Sequence, residues 1–162
     1  MQILARQLIF ATLMAGSLLW VHSGSAQAAD PLVGTWKLDA AKSKFSPGPP
    51  PKSITVTFEA AGEGIKATAD VVGADDKAAH TTYTGNYDGK DYPITGSETG
   101  ADTVSLKRID ARTTKRTDKK SGKVVMTFTR KVSTDGKMLT VTIEGTNPKG
   151  QQVKNVVVLA KQ

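Results

Sequence analysis

From Val33 to the end of the chain, apolar and polar residues alternate with a period of two, in run after run. Ile54, Val56 and Phe58 alternate with Thr55, Thr57 and Glu59; Ile65, Ala67, Ala69 and Val71 alternate with Lys66, Thr68 and Asp70. Leu139, Val141 and Ile143 repeat the pattern. Such alternation puts every second side chain on one face of a pleated strand, so one face is buried and the other wet. Thr and Val dominate the runs, and branching at Cβ favours extended backbone. Glycine-bearing turns separate them, among them Ala61-Gly62, Asp88-Gly89, Ser121-Gly122 and Asp135-Gly136, which suit tight hairpins.

The spacing predicts ten strands, at roughly 33–38, 52–60, 64–72, 78–86, 90–95, 102–109, 111–117, 123–132, 138–145 and 152–160. No segment after residue 30 keeps a helical apolar period for long; Leu38 to Phe45 allows about one turn. A one-sided meander of this length closes on itself or folds into a sandwich. Short, even connections favour the first, so the expected fold class is all-β, an antiparallel up-and-down barrel of about eight to ten strands. The one long connection, Asp39 to Lys52, carries Pro47-Gly48-Pro49-Pro50-Pro51 and reads as a strap across one barrel end or a plain surface loop.

The first residues read differently. Arg6 is followed by an uncharged run of 13 residues, Leu8 to Trp20, and then by Ala26-Gln27-Ala28. This layout is that of a secretory signal peptide with an A-x-A cleavage site. The run spans only about 20 Å against a hydrocarbon core of roughly 30 Å, too short for a membrane anchor. The expected organisation is a signal peptide at 1–28 and a single barrel domain at 29–162, located in the periplasm or outside the cell.

With the fold class in place, Gly34-Thr35-Trp36 at the opening of the first strand resembles the G-x-W signature of lipocalins and related calycins. Val33 to Leu38 is also similar to the first strand of intracellular fatty-acid-binding proteins. The resemblance implies a barrel with Trp36 closing one end and Gly34 beside it, and an interior that takes small hydrophobic molecules. It does not extend to the carboxylate clamp of the fatty-acid-binding proteins, since Val157 and Leu159 stand at the matching positions. The T-D-Y motif and the cysteine pairs of secreted lipocalins are absent too.

The 162 residues contain no cysteine and only two histidines, His22 and His80, which excludes thiolate, disulfide and zinc-ribbon chemistry. No nucleophile elbow, P-loop, dinucleotide fingerprint or metalloprotease motif occurs, so no catalytic residue, metal ligand or cofactor is expected. His80 has no evident orienting partner in sequence, and acid pairs such as Asp75-Asp76 fall in turns. Two arginines draw attention instead. Arg130 has the parity of Val124, Met126 and Phe128, and Arg108 that of Val104 and Leu106. If these faces line the barrel, Arg108 and Arg130 meet the head group of an amphiphile whose tail contacts Phe128, Met126 and Leu106, with Tyr83 as a further wall residue. Otherwise they lie at strand ends and reach out to water. Whether the interior is hollow or packed is left open by the side-chain pattern.

The net charge of +7 is unevenly spread: ten Lys and Arg lie between Lys107 and Lys131, opposed by Asp110 and Asp118. An exported protein without stacking aromatics there is not expected to bind nucleic acid. Anionic lipid or a cell-wall polymer suits the segment better, or it is a solvated hairpin kept from edge pairing by its lysines. The expected function is non-catalytic binding of a small hydrophobic or amphiphilic ligand by a monomer. The alternatives are a packed barrel acting through its cationic surface, or an enzyme with a site in the barrel interior.

Overall fold

The computed structural model describes residues 29–97 and 99–162; the expected signal peptide at 1–28 lies outside them. Ten strands follow in chain order: β1 (Gly34–Leu38), β2 (Ser53–Ala61), β3 (Gly64–Val72), β4 (Ala78–Asn86), β5 (Asp88–Thr95), β6 (Thr103–Arg108), β7 (Thr113–Lys120), β8 (Lys123–Val132), β9 (Met138–Thr146) and β10 (Gln152–Lys161). Each pairs antiparallel with its neighbours in sequence, and β1 pairs with both β2 and β10, so the sheet closes into a barrel. Closure rules out the sandwich. It also leaves no long free edge to recruit another strand.

Closure follows from the turns. Ser121 and Gly122 both have positive φ, 49° and 76°, which gives the tight reversal joining β7 to β8. That geometry matches the right-handed twist of the flanking strands. Every connection but one is short, and the alternating faces then dictate which wall is inside. Ile65, Leu106, Leu139 and Leu159 are fully buried and belong to one continuous core.

The base of the barrel, where β1 starts and β10 ends, is plugged by the segment before β1. Leu32 is buried, and its carbonyl accepts a hydrogen bond from Trp36 Nε1 at 2.8 Å. Trp36 is 0 % exposed, paired in register with Val56 and Lys161. Lys161 turns back over this end, with its ammonium 5.1 Å from the Trp36 ring centroid. Gly34 makes this passage possible. Its φ is 132°, and a Cβ there would stand 2.7 Å from Lys161 Cε.

The long connection first follows β10 and then runs as an exposed surface loop through residues 47–50. Asp39 caps a short 3₁₀ turn, Ala40–Lys42, accepting a hydrogen bond from the Lys42 amide. Lys44 and Ser46 then resume β1's course along β10: Lys44 exchanges backbone hydrogen bonds with Val156, and the Ser46 carbonyl accepts from the Lys154 amide. The proline run follows only after this pairing, where a missing N–H costs nothing.

One face assignment is corrected. Val124 does not share the inner face with Met126 and Phe128 but is 59 % exposed. A bulge between Asp118 and Lys119 shifts the β7–β8 register, so Val125 is the residue that packs on the core. An extra residue in one strand reverses the parity beyond it.

Candidate functional site

The interior is hollow in part. A cavity of about 140 Å³ lies between the Trp36 base and the β5–β6 loop. Its wall is mainly apolar. Ile54, Val56 and Phe58 of β2 face Ala67, Ala69 and Val71 of β3, and Leu139, Val141, Val157 and Leu159 complete the far side. The alanines of β3 leave the space. A barrel of ten strands is wide enough that the space left by small side chains on one strand is not filled in from opposite.

Two guanidiniums and one carboxylate are buried inside. Arg116 and Asp118 of β7 are two residues apart, so both point inward. Arg116 is 6 % exposed and Asp118 0 %. They form a two-pronged pair, Nε to Oδ1 at 2.5 Å and Nη2 to Oδ2 at 2.6 Å. Asp118 Oδ2 also accepts from Thr99 Oγ1 at 2.8 Å, which ties the β5–β6 loop to the barrel wall. Arg116 lies over the Phe128 ring at 4.4 Å and the Tyr83 ring at 4.9 Å from their centroids. Its charge is therefore matched on all sides.

Arg130 is different. It is 5 % exposed and lines the cavity, with its guanidinium carbon 5.1 Å from the Phe58 ring centroid. Among the described residues it has no ion pair and no side-chain hydrogen bond. Its cross-strand neighbour is Thr114, whose buried hydroxyl also has no partner. The buried Tyr83 hydroxyl on the cavity wall is unpartnered too. Burying a polar group without a partner is costly, and burying an unpaired charge more so.

A second polar cluster sits at the base. Arg108 donates to Asp30 Oδ2 at 2.5 Å, and Tyr87 donates to the same oxygen at 2.8 Å, while the Leu32 amide donates to Oδ1 at 3.0 Å. The guanidinium of Arg108 also covers the Tyr87 ring at 4.2 Å. Partial burial works to raise the Asp30 pKa, but the Arg108, Leu32 and Tyr87 hydrogen bonds outweigh it and hold the carboxyl below the usual range. Burial, and then Asp30, push the Tyr87 phenol up, so it stays a donor. A carboxyl with a lowered pKa stabilises the fold above its unfolded value of about 3.9 and stops doing so as pH falls through its folded value. Acid titration followed by circular dichroism is therefore expected to show part of the stability lost below about pH 4, and Asp30→Asn to remove that part of the slope.

The structure thus sorts the residues singled out from sequence. Arg130, Phe128 and Tyr83 line the cavity. Leu106 and Met126 are buried but do not line it, and Arg108 is taken up by Asp30 at the base. Gly34 and Trp36 close that base. Val157 and Leu159 present apolar side chains to the cavity. His80 is on the outer wall, paired with Asp70 at 2.7 Å. The cationic segment divides as well: Arg116 and Arg130 turn inside, whereas Lys107, Arg112, Lys115, Lys123 and Lys131 are exposed.

Arg116 and Asp118 were not legible as interior groups, because Thr113–Lys120 has no apolar face. A signal existed nonetheless. Every strand of a closed barrel has an inward face, so a strand without apolar residues must send polar ones inside, and those must pair.

No protein-family model matches the chain, and no curated protein matches it at a significant level. The closed ten-strand antiparallel barrel is consistent with a calycin-like architecture.

Proposed function

We propose that this protein is a non-catalytic binding barrel that takes a small apolar or amphiphilic molecule into its interior, in an exported compartment. The observation that carries the reading is the cavity of about 140 Å³ inside a closed barrel, walled mainly by aliphatic and aromatic side chains, with the guanidiniums of Arg116 and Arg130 among them. Ligand sites of this kind combine a mostly apolar concave wall with few polar groups that set orientation. An engineered aliphatic cavity of about 150 Å³ stays dry and takes up benzene, so the space here is of useful size for a compact molecule.

Toluene and 1-hexanol serve as probes. Each is expected to raise the thermal midpoint saturably, since a ligand at about 100 times its Kd adds roughly 2.7 kcal/mol to stability. Ala67→Leu, which places an isobutyl group in the cavity, is expected to abolish the effect while the variant keeps its β-sheet spectrum. Absence of any saturable shift in the unmodified protein would refute the reading.

A further inference from the structure

We infer that the ligand of this barrel is a compact monoanion, a carboxylate with an apolar body of about six to ten non-hydrogen atoms, held by the Arg130 guanidinium. The inference deepens the binding-barrel reading and rests on it.

The first argument is charge. The buried charged residues are Arg116, Asp118 and Arg130. Arg116 and Asp118 neutralise each other through two hydrogen bonds. Arg108, exposed at the rim of the base, pairs with Asp30. One positive charge is left over, on Arg130, and it faces the cavity. The Phe58 ring near it offers a modest cation–π attraction, small against the cost of a buried unpaired ion. A ligand with one negative charge brings the interior to neutrality; a dianion would overshoot it.

The second argument is geometry. Arg130 carries its donors in a planar fork, which matches the two oxygens of a carboxylate. Thr114 stands directly across from it on β7, with an unpartnered buried hydroxyl. Thr114 does not line the cavity, so Arg130 is the group that presents donors to the ligand. Arg116 is committed elsewhere, with two of its donors held by Asp118 and its guanidinium stacked near the Tyr83 and Phe128 rings.

The third argument is size. A cavity of about 140 Å³ accepts a ring or a short chain. A long-chain fatty acid exceeds this volume and would leave most of its tail outside the partly open pocket.

The test compares charged and neutral molecules of equal shape on the whole protein. Benzoate and benzyl alcohol form one pair, octanoate and 1-octanol another, and palmitate is the long-chain control, all by titration calorimetry. Benzoate and octanoate are expected to bind at least ten times tighter than their neutral partners, and palmitate not to bind. Arg130→Gln is expected to erase the preference while keeping the neutral affinity, and Arg130→Lys to retain part of it. Equal affinity for the anions and the alcohols in the unmodified protein would overturn the monoanion assignment and leave the binding barrel standing. Tight palmitate binding would overturn the size assignment. Failure of every compound, toluene included, would overturn both readings.

Discussion

Asp118→Ala is expected to destabilise the protein by about 3–5 kcal/mol, the cost of removing one partner from a buried ion pair. Asp118 is 0 % exposed and accepts from Arg116 twice and from Thr99 once. Its loss strands a second unmatched guanidinium beside Arg130 and frees the β5–β6 loop. Domains of this size are stable by about 5–15 kcal/mol, so the change consumes a large share of the total. Urea unfolding of the unmodified protein and the variant measures it. The double variant Arg116→Met, Asp118→Leu is expected to recover most of the loss, because it removes the buried charges together. A single variant as stable as the unmodified protein would mean that the pair is solvated in solution.

Trp36→Ala is the second large effect, about 3–5 kcal/mol for emptying a buried aromatic site. A lost hydrogen bond to the Leu32 carbonyl adds about 1 kcal/mol. The damage concentrates at the base. Trp36 packs beneath Leu32, pairs in register with Val56, and carries the Lys161 ammonium over its ring. Trp36→Phe keeps most of the apolar area and is expected to cost less than half as much. Urea midpoints of the two variants give the comparison; equal losses would place the weight on the indole N–H rather than on packing.

Much of the fold is legible along the chain for a simple reason. Alternation at Ile54 to Phe58 or Leu139 to Ile143 is a local property, and so is the turn at Ser121-Gly122. The strand order then follows from connections too short to cross over. The bulge at Asp118 is different: it depends on pairing between two strands and flips Val124 outward against its local pattern. Arg108 and Arg130 illustrate the same division. Both share parity with apolar neighbours, yet Arg108 finds Asp30, a residue 78 positions earlier in the chain, and Arg130 finds no ion-pair partner among the described residues.

What the amino-acid order determined by itself is the set of ten strands, their one-sided burial and the meander that joins them, because each rests on residues adjacent in the chain. What only the tertiary structure decided is whether the interior is filled and which charges in it cancel. Those depend on how side chains are enclosed together inside the barrel: the alanines of β3 and the side chains of Val157 and Leu159 border one cavity, and Asp118 pairs with its strand neighbour Arg116 while Arg130 is left without a counter-charge among the described residues. Volume and charge balance are sums over the whole enclosed space, and they exist only once the ten strands have closed around it.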